Sequence, residues 1–187
     1  MVKKNSCVFI SGYGSNLKSL IKRSRDTNFP ININLVVCDN LKANGINHAK
    51  KNSIPFFIIN TKKRNFENFK LNKLKKHNIS LICLAGFMKI LSKNFINNFR
   101  GKIINIHPSL LPKYKGTNTF SRILKNKEKF TGCTVHYVND KLDSGKIILK
   151  RMFELNNSEN VESLKSKTQE MEYRAYSEAV TKIFLTI

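Results

Sequence analysis

Short apolar runs alternate along this chain with longer segments in which apolar residues recur every three or four positions. A compact apolar run bounded by glycine, proline or asparagine is typical of a buried strand, and the longer periodic segments are typical of amphipathic helices. The predicted strands are residues 6–11, 31–37, 56–59, 80–85, 102–104, 131–138 and 146–153. The predicted helices are a segment through Leu20 and Ile21, then residues 43–52, 64–77, 92–99, 120–126 and a long stretch at 158–187.

This alternation of strands and helices favours one α/β domain built on a mostly parallel sheet. The last two predicted strands flank the short turn at residues 139–145, so we expect them to pair antiparallel. No internal repeat, low-complexity linker or shift in composition marks a domain boundary. The pattern therefore predicts a single domain across residues 1–187 that ends in a long helix.

The composition supports a globular protein. The chain has 187 residues, of which 41% are hydrophobic, and this is enough for one well-packed core. The apolar run from Cys7 to Ile10 is too short for a signal peptide, and no stretch has the length of a transmembrane helix. The four cysteines are far apart and lack metal-ligand spacing. We therefore expect buried, reduced thiols in a cytoplasmic protein that binds neither a membrane nor a metal ion.

The formal net charge of +22 raises the hypothesis of a nucleic-acid-binding protein. The lysines are, however, scattered along the chain, without a long basic run or an RNA-binding signature. A basic surface alone supplies only non-specific affinity for nucleic acid. We expect the charge to attract small anionic substrates, and a basic nucleotide- or nucleic-acid-binding module is the non-enzymatic alternative.

A turn that contains two glycines joins the first predicted strand to the first predicted helix. In Gly12-Tyr-Gly-Ser-Asn-Leu17 the glycines permit a tight turn, and the free N–H groups at the start of the helix can bind an anion. The turn lacks the third glycine of the dinucleotide fingerprint and the Gly-Lys-Ser/Thr of a P-loop. It therefore predicts a monophosphate site, with a purely structural turn as the alternative.

The strongest candidate for catalysis is the stretch Asn105-Ile-His-Pro-Ser-Leu-Leu-Pro112, which follows the apolar run at residues 102–104. Asn105 and His107 are two positions apart, so their side chains share one face of a strand. Ligands usually bind at the carboxyl end of a parallel strand, and an amide beside an imidazole can stabilise negative charge and move a proton. A polar strand end with a structural histidine is the alternative.

Two further loops follow predicted strands. Gly86-Phe-Met-Lys-Ile-Leu91 is unusually apolar for a loop, which predicts either a plug of the core or a surface for a flat ligand. Asn139-Asp-Lys-Leu-Asp-Ser-Gly145 is a turn rich in acids.

Five segments, taken in order, resemble the motifs of one enzyme family, the phosphoribosylglycinamide formyltransferases. The matching segments are Ser11–Leu17, Leu84–Ser92, Asn105–Pro112, Gly132–Gly145 and Thr168–Glu170. These enzymes are folate-dependent and belong to purine biosynthesis. The resemblance spans nearly the whole chain and implies a Rossmann-like single domain, with a phosphate-binding half at about residues 1–100 and a folate-binding, catalytic half at about residues 101–187.

The resemblance implies a direct transfer. The amine of phosphoribosylglycinamide would attack the formyl carbon of 10-formyltetrahydrofolate, and an oxyanion would form. Asn105 would donate a hydrogen bond to that oxygen, His107 would stabilise it and assist proton transfer, and Asp143 would orient or charge His107. No metal ion is required. Loss of the Asn105 donor is expected to cost about 3–4 kcal/mol of transition-state stabilisation.

The resemblance also implies the binding residues. Those for phosphoribosylglycinamide are Gly14, Ser15, Asn16, Gln169 and Glu170. Those for folate are Arg64, Met88, Lys89, Ile90, Leu91, Asn105, Asn139, Asp140, Lys141, Leu142 and Asp143, with Lys63 as an alternative to Arg64. His136 is interpreted as a strand histidine that packs near the site and has a structural role.

Some positions depart from the family pattern. Lys89 stands where arginine is common, and Asn118 and Phe120 lie in a loop where many members carry histidines. The nearest alternative is a methionyl-tRNA formyltransferase, which shares the three catalytic residues but carries a further RNA-binding domain that this chain is too short to supply. We expect small-molecule substrates, no specific nucleic acid, and a monomer or weak homodimer.

Overall fold

The computed structural model describes residues 2–59, 66–156 and 158–185. This part of the chain contains seven strands and six helices. The strands are β1 (Lys4–Ile10), β2 (Ile31–Cys38), β3 (Phe56–Ile58), β4 (Leu81–Leu84), β5 (Lys102–His107), β6 (Phe130–Tyr137) and β7 (Ile147–Glu154). The helices are α1 (Ser15–Ser24), α2 (Ile46–Lys51), α3 (Phe66–Lys76), α4 (Lys93–Asn98), α5 (Thr119–Lys125) and α6 (Val161–Leu185). None of these helices is long and apolar enough to cross a membrane.

The strands form one sheet in the order β3-β2-β1-β4-β5-β6-β7. β1 pairs parallel with β2 and β4, and β2 pairs parallel with β3. β7 instead runs antiparallel to β6, with Arg151 opposite Cys133. The structure thus confirms the predicted α/β fold, with its mostly parallel sheet, its antiparallel last pair of strands and its long final helix.

The chain comprises two compact units, Met1–Ile104 and Asn105–Thr186. In the first unit, β1 lies between β2 and β4, so the segment Cys7–Ile10 is fully buried. The apolar face of α1, which includes Leu17 and Ile21, is buried as well. This buried face orients the start of α1, where the predicted anion site lies.

In the second unit, α6 packs against β6 and β7. One stripe of α6 at helical spacing is fully buried, and it consists of Leu164, Ala175, Tyr176, Ala179 and Val180. β6 contributes the buried side chains of Cys133 and Val135. Burial raises the pKa of the Cys133 thiol to about 12, so this thiol stays protonated and acts as a small apolar side chain. Cys7, Cys38, Cys83 and Cys133 are all buried, and none of them forms a disulfide.

Two helices begin later than the sequence pattern predicted, for local reasons. The helix expected at 43–52 begins at Ile46, and the N–H of the preceding Gly45 donates to the Gly12 carbonyl, 3.0 Å away. The C-terminal helix begins at Val161. Asn160 caps it, since the Asn160 Oδ1 accepts hydrogen bonds from the main-chain N–H groups of Glu162 and Ser163.

Candidate active site

The loop that follows β5 is fixed by short hydrogen bonds to β6 and within itself. The Oγ1 of Thr134 donates to the carbonyl of Ser109 at 2.6 Å and accepts from the N–H of Leu111 at 3.1 Å. The Oγ of Ser109 donates to the carbonyl of Lys113 at 2.6 Å. Thr134 and Ser109 are fully buried. These contacts set the path of the chain as it leaves His107.

Asn105 and His107 lie two positions apart on β5, and both side chains approach the same cluster. The Nδ1 of His107 is 3.3 Å from the Oδ2 of Asp143. The Nε2 of His136 is 3.2 Å from the Nδ2 of Asn105 and 3.7 Å from the Oδ1 of Asp143. His107, His136 and Asp143 are buried, and Asn105 is half-buried. The structure therefore brings together the three residues predicted to be catalytic, and His136 joins them.

The ring of His107 is held at both nitrogens. Its Nε2 is 2.8 Å from the carbonyl oxygen of Tyr114, and its Nδ1 faces Asp143. A carbonyl oxygen only accepts, so the Nε2 of His107 carries a hydrogen. The ring orientation is thus set by one main-chain acceptor and one carboxylate.

Asp143 is held in turn by the loop that follows β5. Its Oδ2 accepts a hydrogen bond from the main-chain N–H of Gly116 at 2.8 Å. Its φ is 45°, in the left-handed region that side chains other than glycine rarely adopt. The turn rich in acids therefore projects one carboxylate inward while Asp140, three residues earlier, is exposed.

Burial and hydrogen bonding shift the pKa values of His107 and Asp143 in opposite directions. Burial lowers the pKa of His107, and the Tyr114 carbonyl and the Asp143 charge only partly offset it. Burial alone would raise the pKa of Asp143, but the His136 ring, the Gly116 N–H and His107 outweigh it, so this pKa lies below its usual range. At neutral pH the cluster therefore holds a carboxylate beside a largely neutral imidazole.

The predicted anion site lies at the start of α1. Gly14 occupies the N-cap position with a φ of 70°, and the first turn of the helix contains no acidic residue. Ser15 is half-buried and Asn16 is buried. A Cβ on Gly45 would lie 2.6 Å from the Cδ1 of Ile10 and 2.9 Å from the carbonyl oxygen of Gly12. A glycine at position 45 is thus required for the close packing of this turn.

The residues predicted to contact folate differ in exposure. Met88 and Ile90 are 70% and 71% exposed, Lys89 is exposed, and Leu91 is buried in the core. The N–H of Met88 donates to the Oγ of Ser11 at 2.8 Å, which ties this apolar loop to the end of β1. Arg64 and Lys63 lie outside the described residues.

In the turn after β6, Asn139 folds the loop locally. Its Oδ1 accepts from the N–H of Lys141 and from the Oγ of Ser144. The residues Asp140, Lys141 and Leu142 are exposed.

On α6, Gln169 is half-buried and Glu170 is exposed. No group of three or more His, Cys, Asp or Glu side chains within the described ranges is arranged to hold a metal ion.

Two positions that depart from the family pattern lie at the start of α5. Asn118 is the N-cap residue of α5 with a φ of 56°, and Phe120 is half-buried in the first turn of that helix. Sequence analysis missed the Tyr114 carbonyl and the Gly116 N–H, because main-chain groups leave no residue signature. His136 could have been found from the sequence, because it is a histidine on a predicted strand whose side chains alternate between two faces.

Comparison with known proteins gives a consistent family. The formyl transferase family model matches residues 4–180 of the chain. The chain is 33% identical over 184 residues to phosphoribosylglycinamide formyltransferase of Bacillus subtilis, which covers 96% of this chain and 94% of that protein. The solved structure of phosphoribosylglycinamide formyltransferase from Brucella melitensis matches with a TM-score of 0.93 at 34% identity, covering 99% of this chain and 97% of that one.

A longer relative contains the same region. The chain is 40% identical over 184 residues to trifunctional purine biosynthetic protein adenosine-3 of Chironomus tentans, covering 95% of this chain. It spans only 13% of that relative's length. The family model, the full-length relative and the solved structure agree, and the chain belongs to the formyl transferase family, among the phosphoribosylglycinamide formyltransferases.

Proposed function

We propose that this chain transfers a formyl group from 10-formyltetrahydrofolate to the amine of phosphoribosylglycinamide, a step of purine biosynthesis. The observation that carries the proposal is the cluster of Asn105, His107 and Asp143, in which a main-chain carbonyl and a carboxylate hold an imidazole near an amide. The names of the relatives from Bacillus subtilis and Brucella melitensis support the same activity.

The hydrogen bonding of His107 suits it to accept a proton. A neutral imidazole has one N–H, which the 2.8 Å contact with Tyr114 assigns to Nε2. The Nδ1 then presents a lone pair to the Asp143 carboxylate, 3.3 Å away. The lone pair of Nδ1 and the negative carboxylate repel each other. A proton bound between them would replace that repulsion with a charge-assisted hydrogen bond. The His107–Asp143 pair is therefore the acceptor for the proton that the attacking amine releases.

In the proposed transfer, each bond that forms is matched by one that breaks. The amine nitrogen bonds to the formyl carbon, and the bond between that carbon and the folate nitrogen breaks. The proton from the amine passes through the His107–Asp143 pair to the departing nitrogen. Negative charge develops on the formyl oxygen in between, and the Asn105 amide donates a hydrogen bond to it. Protonated His107 stabilises the same charge electrostatically.

The phosphate of the acceptor substrate is proposed to bind at Gly14, Ser15 and Asn16. A phosphate dianion matches the free N–H groups and the positive end of the dipole at the start of α1, where no acidic side chain competes. Gln169 and Glu170 are proposed to contact the same substrate through its ribose hydroxyls.

The folate co-substrate is proposed to contact two exposed loops and the catalytic residues. Met88 and Ile90 offer exposed apolar surface, as does Leu142, which is 53% exposed. Lys89 would supply a positive charge, although without the planar fork of an arginine. The remaining proposed contacts are Leu91, Asn105, Asn139, Asp140, Lys141 and Asp143, together with Arg64 or Lys63.

We also propose a monomer or weak homodimer that acts in the cytoplasm on small molecules. Four buried cysteines that form no disulfide support a reducing compartment. The two halves of the chain, about 1–100 and 101–187, are proposed to bind the phosphate and the folate, respectively.

The test is a formyl-transfer assay with 10-formyltetrahydrofolate and two competing acceptors, phosphoribosylglycinamide and aminoacylated initiator tRNA. We expect transfer to the small acceptor and its loss in His107→Ala, whereas His77→Ala, at the end of α3, keeps the activity of the wild type. Transfer to tRNA alone would keep the chemistry and overturn the substrate, and that outcome is the one favoured by the net charge of +22. No transfer to either acceptor would overturn the activity.

A further inference from the structure

The two nitrogens of the His136 ring have different partners. Nδ1 is 2.8 Å from the carbonyl oxygen of Tyr137, and Nε2 is 3.2 Å from the Nδ2 of Asn105. A carbonyl oxygen only accepts, so Nδ1 carries a hydrogen. The NH₂ group of an amide only donates, so the Nε2 that meets it is an acceptor and carries no hydrogen. His136 is 2% exposed, so the ring is shielded from bulk solvent.

This tautomer decides which way the Asn105 amide points. The Nδ2 of Asn105 donates one hydrogen to the Nε2 of His136. With the amide reversed, its oxygen would face the lone pair of that nitrogen, and the two would repel. His136 thus fixes the nitrogen of the amide on its own side, and the second hydrogen of the same NH₂ group has a defined direction. Because Asn105 is only half-buried, that hydrogen can reach a bound molecule.

Asp143 is the other polar side chain near the Nε2 of His136, and it lies farther away than Asn105. Its Oδ1 is 3.7 Å from the Nε2 of His136, beyond a hydrogen bond to a neutral ring. Its other oxygen is engaged by the Gly116 N–H and faces His107. The hydrogen-bonding partner of the His136 Nε2 is therefore the Asn105 amide.

We propose that His136 is a positioning residue that, as the neutral Nδ1–H tautomer, holds the Asn105 amide with its free N–H directed at the reacting formyl oxygen. The proposal rests on the proposed function for the identity of that oxygen. It assigns to the histidine an effect on turnover, beyond the packing role that its burial alone indicates. A donor fixed in advance needs no reorientation as charge develops, which is the basis of oxyanion stabilisation.

A pair of substitutions separates positioning from packing. His136→Phe keeps a ring of similar shape and removes the acceptor, whereas His136→Gln places an amide oxygen near the position of Nε2 and keeps it. We expect His136→Phe to lower kcat by about 10- to 100-fold, with roughly unchanged KM for both substrates. His136→Gln is expected to recover most of that loss. Equal kcat in the wild type and His136→Phe would overturn the proposal.

A double-mutant cycle tests whether His136 acts through Asn105. In an Asn105→Ala background the amide is gone, so adding His136→Phe should lower kcat by less than about twofold. The same fold-loss in both backgrounds would show that His136 acts by another route and would overturn the proposal. Thermal unfolding of each variant establishes that it is folded before its kinetics are compared.

One measurement is independent of activity and of any variant that fails to fold. In the ¹⁵N-labelled wild type, long-range ¹H–¹⁵N NMR spectra of the His136 ring report which nitrogen carries hydrogen. We expect hydrogen on Nδ1 and a bare Nε2 at neutral pH. Hydrogen on Nε2 would overturn the proposal. If the expected tautomer is found but no formyl transfer occurs, the positioning of Asn105 stands and the proposed function fails.

Discussion

The Nδ1 of His107 lies 3.3 Å from the Oδ2 of Asp143, while the Nε2 of the same ring lies 2.8 Å from the carbonyl oxygen of Tyr114. Two acceptors therefore face a ring that burial keeps largely neutral. The imidazole has one hydrogen fewer than its partners can accept. Because a second hydrogen on the ring would have an acceptor ready, we expect the pKa of His107 to respond to changes in the charge of Asp143.

Asp143→Asn is expected to shift the pH dependence of turnover. Asparagine tolerates the left-handed backbone at this position, so the main effect is loss of the charge. The Asp143 charge raises the pKa of His107, and without it this pKa falls further. The step in the kcat profile due to His107 should move to lower pH, and kcat itself should fall roughly 10²–10³-fold. Glu154→Gln, at the exposed end of β7, is the control. An unmoved step in Asp143→Asn would show that the charge of Asp143 does not set the pKa of His107.

Replacing His107 should make the fold less sensitive to mild acid. The folded pKa of His107 lies below its unfolded value of about 6.5, so the unfolded chain binds more protons as the pH falls below that value. The stability of the wild type therefore decreases from about pH 6.5 down to the folded pKa. Thermal unfolding of the wild type and His107→Gln across this range should show the smaller decrease in the variant. Parallel curves would contradict the lowered pKa.

Glu128→Ala should loosen the loop that carries Tyr114 and Gly116. The Oε1 of Glu128 accepts from the hydroxyl of Tyr114 at 2.7 Å and from the Nζ of Lys113 at 3.0 Å. The hydrogen bond from Tyr114 is the main cause that lowers the pKa of Glu128. Because exposed ion pairs are weak, kcat should fall by less than about tenfold.

Amide hydrogen exchange gives the direct readout of that change. The Gly116 N–H, which donates to Asp143, should exchange faster in Glu128→Ala than in the wild type. Glu154→Ala, at the exposed end of β7, is the matched control and should leave the Gly116 exchange rate unchanged. Equal rates in all three proteins would show that Glu128 does not hold the loop.

Gly45→Ala should disturb the turn before α1. The added Cβ would approach the Cδ1 of Ile10 to 2.6 Å and the carbonyl oxygen of Gly12 to 2.9 Å, so main-chain atoms of the turn must move. Overpacking of this kind destabilises by about 1–3 kcal/mol. We expect a lower melting temperature and a higher KM for phosphoribosylglycinamide, with less change in the KM for folate. The exposed neighbour Asn44→Ala should change neither, and an unaffected KM in Gly45→Ala would argue against a phosphate site at this turn.

The sequence predicted the parts of the cluster that depend on local spacing. Two positions of separation placed Asn105 and His107 on one face of β5. The position of Asp143 could not be derived in this way, because it is 36 residues beyond His107 and reaches the ring only through the path of a loop; it came from the resemblance to the family.

Other parts of the cluster depend on atoms that carry no sequence signal. The acceptor for the Nε2 of His107 is a main-chain carbonyl, and the donor to Asp143 is the main-chain N–H of Gly116. Any residue at position 114 has such a carbonyl. His136 was visible in the sequence, but its role depends on which of its nitrogens meets Tyr137 and which meets Asn105, and only the fold determines this.

Tyr114 and Asp143, the two partners of the His107 ring, both have left-handed backbone conformations, with φ values of 57° and 45°. Such a conformation costs a side-chain-bearing residue about 1–2 kcal/mol relative to its preferred one. Glycine at position 143 would remove this cost together with the carboxylate. That carboxylate accepts from the Gly116 N–H, and its lowered pKa means that its ionised form stabilises the fold at neutral pH. A laboratory evolution experiment that rewards heat resistance without a screen for turnover should therefore keep Asp143, because the carboxylate proposed to serve turnover also holds the loop.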